Sequence, residues 1–436
     1  MTARFPYALA CALSLALSLV LAGHASASPR TDTDAVAKAI EDNFYDVTRG
    51  KSIANDLRAS AAKGDFDTYN DNRELAAALT DRLKPLDTHF NVQWSPPTAK
   101  DDKKEGDRRP QRGPPPTQGT QHGIRRVEIL PGNIGYIDLR QFADFEFGKP
   151  DQPARQAIEA ALQLIAGTDA VIVDLRANGG GSPAMVGYLT SAFTPKGADI
   201  YNTFHRRQGT DSEAPTDWFA SPRLQVPLYV LESARTGSAA EAFAYTVKNA
   251  KRATIVGEAS AGAANPGGEV DAGNGFRVFV SNGTPISPIT GKNWEGDGVI
   301  PDVQVASSQA LETARGLALE KIVAERPANE TTEARWALDG LRAEAQPRQS
   351  GNPADYVGGF GSMTIAEDNG RLVIKRGRRP AVVLLPLGGD VFTVAADPTL
   401  RLTFARDGKR AVDALEVEGL DGRSSRLRRN AKPAGR

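Results

Sequence analysis

Cysteine is almost absent from this chain of 436 residues: the single one, Cys11, lies in an apolar N-terminal stretch. With that stretch removed, the chain has no disulfide framework, no thiol nucleophile and no cysteine-ligated metal. Net charge is absent too, since Lys+Arg and Asp+Glu number 53 each. That balance gives no overall field to draw in nucleic acid or a charged membrane surface. Beyond the N-terminal stretch, no apolar run approaches the length of a membrane span. Histidine is scarce, with four in all: His24, His89, His122 and His205. No metal and no organic cofactor are expected.

Residues 1–27 read as a secretory signal. Arg4 begins it, Leu9 to Leu21 form the apolar stretch, and Ala25-Ser26-Ala27 gives a small-residue cleavage pattern. His24 stands after Leu21-Ala22-Gly23, where a lipoprotein would carry cysteine. The alternative is an uncleaved anchor. The expectation is an exported chain, periplasmic or extracellular, with no stable membrane insertion after cleavage. Residues 28–94 are helical in pattern, with Ala35, Val36, Ile40, Phe44, Tyr45 and then Leu75, Leu79 and Leu83 at helix spacing. The stretch 95–123 is rich in Pro, Gly and charge. Acids are interspersed with Lys103-Lys104 and Arg108-Arg109, and no aromatic is near to stack on a base. A solvated loop is expected there, and no nucleic-acid partner.

From 124 to 325 strands alternate with helices. Val127–Leu130 and Ile134–Leu139 flank the turn Pro131-Gly132-Asn133. Strands at 170–175, 226–231 and 253–257 are separated by helices at 183–193 and 238–249, and a helix over 307–323 closes the unit. This order predicts an α/β unit with a mainly parallel sheet. Residues 326–350 read as a linker helix. From 351 to 436 short alternating strands and turns such as Asp368-Asn369-Gly370 predict a small antiparallel β domain with a polar tail.

Two strand–turn–helix junctions stand out. In Pro227–Asn249 an apolar run ends in a turn, and Ser238 opens an amphipathic helix. Backbone N–H groups and the positive helix end converge at such a point and can hold an oxyanion. Ser238-Ala239-Ala240-Glu241 is equally a capping box, so two readings of Ser238 stand on this segment alone. The second junction is Val171–Asp174 running into Leu175-Arg176-Ala177-Asn178-Gly179-Gly180-Gly181. Its glycines serve a tight turn or a close approach of backbone to substrate.

Together with Ile129–Tyr136 and Gly298-Val299-Ile300-Pro301-Asp302, these motifs resemble peptidase family S41, in one order over about residues 31–325. That is the family of the tail-specific (C-terminal processing) proteases, the tricorn core and the interphotoreceptor retinoid-binding protein. The resemblance implies a crotonase-like (β-β-α) core preceded by a helical domain, and a serine peptidase acting on peptide or unfolded-protein substrates. One branch pairs its serine with a lysine, but Gly257–Asn265 has none, and Lys248 is ten residues down the helix from Ser238. Lys292 sits in a loop pattern. The tricorn and retinoid-binding branch is similar in using Ser, His and Glu. Asp87-Thr88-His89 matches its Asp-x-His pattern, and Glu295 stands before the Gly-Val-x-Pro-Asp motif. The resemblance thus implies Ser238 as nucleophile, His89 as base and Glu295 as its orienting acid. Gly180 or Gly181 and Ala239 would supply oxyanion N–H groups. A binding protein for peptides or hydrophobic ligands is the alternative on the same fold. Two departures are plain: no PDZ domain fits in 95–123, and the C-terminal β domain is outside the family core. A homo-oligomer is open.

Overall fold

The structure is a computed structural model that describes residues 28–96, 121–395 and 397–431. The leader with Cys11 and His24, most of the polar loop 95–123, and residues 432–436 of the tail lie outside the described residues.

Three helices open the chain: α1 (Pro29–Asn43), α2 (Val47–Lys63) and α3 (Asn72–Leu83). Ser28, Asp46 and Asp71 cap them by accepting the N–H groups of Thr31, Arg49 and Arg73. Their apolar faces bury Val36, Ile40, Leu57, Leu75, Leu79 and Leu83. The helical pattern does not run on to residue 94. Asn91–Trp94 is a strand, β1, paired antiparallel with Phe276–Ser281 of the core. Val278 and Val280 of that partner complete the hydrophobic cluster of the helices. The N-terminal helices therefore share their core with a three-stranded sheet rather than closing on themselves. Four residues are too few for an alternation signal to register in the sequence.

The next unit contains β2 (Ile124–Leu130), β3 (Ile134–Leu139), α4 (Pro153–Leu164), β4 (Ala170–Asp174), α5 (Pro183–Ser191), β5 (Thr203–Arg206) and β6 (Gly209–Ser212). It continues with β7 (Leu228–Glu232), α6 (Ala239–Asn249), β8 (Thr254–Gly257), β9 (Gly267–Gly273), β10 (Phe276–Ser281), β11 (Gly283–Ile286), β12 (Val303–Gln304) and α7 (Ala310–Glu325). The main sheet has the order β12-β8-β7-β4-β3-β2, parallel except at β2. The three-residue β2–β3 turn, Pro131-Gly132-Asn133, has positive φ at both Gly132 and Asn133. Strand β4 is buried on both faces, as a central parallel strand must be. Val171 and Val173 face the cluster built on α4, α5 and α6, while Ala170 and Ile172 face Ala314, Ala318 and Leu319 of α7. Two smaller sheets, β1-β10-β9 and β11-β5-β6, flank this layer.

Helix α8 (Thr332–Ala345) is a packed element, not a free linker. Ala334, Ala337 and Leu338 join the α7 side of the core, and Arg401 of the C-terminal domain donates to Asp339 and to the Trp336 carbonyl. After α9 (Pro353–Tyr356) come β13 (Gly358–Phe360), β14 (Met363–Asp368), β15 (Arg371–Arg376), β16 (Val382–Gly388), β17 (Val391–Val394), β18 (Asp397–Arg406), β19 (Val412–Gly419) and β20 (Ser424–Arg428). They pair in sequence order, and a bridge between Phe360 and Arg429 brings the last strand back to the first. The antiparallel domain is therefore nearly a barrel, filled by Tyr356, Phe360, Phe392, Phe404 and aliphatic neighbours. Among the described residues no helix is long and apolar enough to cross a membrane.

Candidate active site

Ser238 stands six residues beyond the end of β7 and immediately before α6. Its backbone lies at φ 52° and ψ −120°, and its side chain is exposed. A non-glycine residue in that region is strained and persists only where its surroundings enforce it. The enforcement is visible. Gly180 lies so close that a Cβ there would stand 2.8 Å from the Ser238 Cβ and 3.0 Å from the Ala239 nitrogen. Buried Thr236 donates its hydroxyl to the Leu175 carbonyl at 2.8 Å, and Gly237 donates its N–H to the Asn178 carbonyl at 3.0 Å. These bonds clamp the turn after β7 to the turn after β4. The sequence lacks a Gly-x-Ser-x-Gly elbow, yet the backbone makes a strained strand-to-helix turn of that kind.

Glu241 does more than close a capping box. It is fully buried, and its carboxylate accepts the Ser238 N–H at 2.7 Å, the Ser260 hydroxyl at 2.6 Å, the Gly262 N–H at 2.6 Å and the Ala263 N–H at 3.0 Å. The next two N–H groups, of Ala264 and Asn265, donate to Glu295 at 2.9 and 3.0 Å. One four-residue stretch thus holds the support of Ser238 and the carboxylate beside His89.

Of the expected oxyanion donors, Gly180 directs its N–H at the Asn178 side chain, 2.9 Å away. The N–H groups of Gly181 and Ala239 donate to no described residue. Asn178, fully buried, also donates to the Leu139 carbonyl at 2.9 Å and so sets the shape of the glycine turn.

His89 reaches this region because β1 starts two residues later and pairs with β10. Its ring stacks on Phe279 of β10, with centroids 6.0 Å apart. Nδ1 lies 3.1 Å from Asp87 Oδ1 and 3.2 Å from Glu295 Oε1. Both carboxylates therefore crowd one ring nitrogen, which leaves Nε2 for a proton transfer partner. Burial alone would lower the His89 pKa, but the hydrogen bonds and charges of Asp87 and Glu295 outweigh it and raise it to about 10. Burial likewise opposes the charge on Asp87 and Glu295, and their bonds to His89 more than compensate, so both sit below their ordinary values. No hydrogen bond joins the Ser238 hydroxyl to the His89 ring.

The other candidates fall elsewhere. Lys248 donates to Asp302 and to the Ile300 carbonyl, and Lys292 is exposed on its loop. His205 is exposed on β5, and His122 lies in the turn before β2. Asp87, His89 and Glu295 have ligand atoms within 4.8 Å of one another. Thr88, Ala264 and Asn265 already donate to the Glu295 oxygens, so the group reads as a hydrogen-bond cluster rather than a metal cage.

Ser238 thus follows the C-terminal end of an interior parallel strand with N–H groups unengaged among the described residues beside it, and His89 is held by two acids. The model of peptidase family S41 matches residues 133–305 of the chain. A carboxy-terminal-processing protease of Bartonella bacilliformis is 29% identical over 183 residues, 41% of this chain and 40% of that protein. Carboxyl-terminal-processing peptidase 2, chloroplastic, of Arabidopsis thaliana is 32% identical over 145 residues, 31% of this chain and 26% of that protein. The chain thus spans less than half the length of these curated relatives. Among solved structures, a putative peptidase from Parabacteroides merdae has a TM-score of 0.48 at 20% identity, covering 69% of this chain and 100% of that one. The photosystem II D1 C-terminal processing protease has a TM-score of 0.42 at 17% identity, covering 64% and 94%.

Proposed function

We propose that this chain is an exported serine peptidase that hydrolyses peptide bonds through an acyl-enzyme. Ser238 attacks the acyl carbon. His89 takes the serine proton at Nε2 and returns it to the leaving amine, while Glu295 stabilises the imidazolium. The N–H groups of Gly181 and Ala239 receive the oxyanion, with Gly180 shaping the turn between them. The observation that carries this reading is the strained Ser238 backbone, φ 52°, locked by Gly180 and Glu241. A cap needs no such strain. Both curated relatives are named as carboxy-terminal-processing enzymes. The base proposed here is nonetheless histidine, because Lys248 is bound to Asp302. The small-residue pattern before residue 28 supports export.

One observation favours a second reading, a binding protein on the same scaffold. A His89 pKa of about 10 keeps the ring cationic at neutral pH, which suits a ligand's anion better than proton abstraction. The test is cleavage of an unfolded protein and a mixed peptide library by the mature chain and its Ser238→Ala variant, read by mass spectrometry. The peptidase reading expects cleavage by the first alone. Equal cleavage by both would remove Ser238 from the chemistry.

A further inference from the structure

The base is held by two acids, and they are not equivalent. Asp87 Oδ1 accepts the His89 main-chain N–H at 2.9 Å and lies 3.1 Å from His89 Nδ1. One oxygen therefore fixes both ends of the same residue, from two positions earlier in one tight turn. The Asp87 side chain is 2% exposed, against 22% for Glu295. Asp87 Oδ2 is buried without a close hydrogen bond among the described residues, and the Ser281 side chain beside this carboxylate also favours its charged form. Glu295 is differently placed. It accepts two backbone N–H groups of the core and the Thr88 hydroxyl at 3.1 Å, and Nδ1 is a fourth neighbour at 3.2 Å. Its geometry ties the N-terminal turn to the core. A neutral imidazole that offers Nε2 as a base has one proton on Nδ1, and that proton is directed mainly at one acceptor.

We propose that Asp87 is the positioning residue that fixes the His89 tautomer and ring orientation, and that Glu295 is the counter-charge and tether. This rests on the reading of His89 as base. In the working cycle the Nδ1–H bond to Asp87 is never broken. The serine proton moves to Nε2, the imidazolium charge is shared between Asp87 and Glu295, and the proton leaves again from Nε2 to the amine. Replacing Asp87 by alanine removes the one oxygen that meets both the His89 main-chain N–H and Nδ1, so the ring loses its fixed tautomer and orientation. Replacing Glu295 by glutamine removes charge but leaves the tautomer to Asp87.

The experiment compares Asp87→Ala and Glu295→Gln in the mature chain, with two readouts. The first is kcat and KM on a peptide cleaved by the wild type. Asp87→Ala is expected to lose about 10³-fold or more in kcat with KM nearly unchanged. Glu295→Gln is expected to lose no more than about tenfold, with its acid limb moved to lower pH. The second readout needs no turnover: the downfield proton resonance of the hydrogen-bonded His89 Nδ1–H, recorded in a Ser238→Ala background. It should vanish with Asp87→Ala and persist with Glu295→Gln. The reverse pattern, in either readout, overturns the assignment. If the wild type cleaves nothing, the peptidase reading fails, and the resonance still decides which acid holds the ring. An Asp87→Glu variant guards against misfolding: recovery of the resonance there is expected, and its absence in a folded variant counts against Asp87.

Discussion

The Glu241→Gln substitution separates a simple helix cap from a hub that builds the site. The side chain keeps its shape, so no cavity forms. One carboxylate oxygen becomes an NH2 group, which turns a donor toward donors. Oε1 accepts from Ser260 and Gly262, and Oε2 from Ser238 and Ala263. Whichever oxygen is replaced, two hydrogen bonds to a charged group are lost, each worth about 1.5–3 kcal/mol. Because Glu241 is fully buried, water cannot take over the orphaned donors. The expected destabilisation is therefore about 3–6 kcal/mol. A residue acting only as a capping-box partner would cost about 1 kcal/mol. Urea unfolding of wild type and variant, followed by tryptophan fluorescence, reads the difference as a shift in midpoint at equal slope. A loss near 1 kcal/mol would refute the hub and leave the conformation of Ser238 without its main support.

Two further outcomes follow from the same geometry. Gly180→Ala should displace Ser238, since the new Cβ would lie 2.8 Å from the Ser238 Cβ at a φ of +117°. Activity should fall about 10²-fold or more while stability falls by only about 1–3 kcal/mol, as kinetics and thermal unfolding would show; an active variant would mean that the turn yields. The acid limb of kcat/KM should lie on the alkaline side of neutrality, because His89, raised to about 10, must lose its proton to act as base. The sign for stability is opposite. The raised His89 pKa stabilises the fold fully below about 6.5 and that contribution fades as pH rises through about 10, while the lowered Asp87 and Glu295 values lose theirs as pH falls through the acid range. A pH–rate profile with its midpoint below 7 would show that the two acids do not hold the proton on His89.

Much of the architecture was legible in the sequence because it rests on local pattern. The apolar runs at 171–173 and 228–231 mark buried parallel strands, and Asp368-Asn369-Gly370 marks a hairpin whose Asn369 and Gly370 both have positive φ. What escaped depends on distant partners. Strand β1 exists through pairing with β10, some 185 residues away, and it is β1 that carries His89 to the core. Glu241 looks like a local cap until Ser260, Gly262 and Ala263 fold onto it. Asn178 and Thr236 look like ordinary turn residues, and their acceptors are backbone carbonyls that no residue type announces. Closure of the C-terminal strands depends on one bridge between Phe360 and Arg429, which alternation along a single strand cannot signal. The Asp87 carboxylate was read as part of a motif around His89, and its two bonds to that residue appear in the fold.

The central claim is that Ser238 is a nucleophile activated by His89, and covalent labelling tests it without knowledge of the substrate. The mature chain would be treated with a fluorophosphonate and digested, and the adduct located by mass spectrometry. The account predicts a single adduct on Ser238, strongly slowed in His89→Ala and absent in Ser238→Ala. No adduct on the folded protein, or one that forms at the same rate without His89, would contradict it.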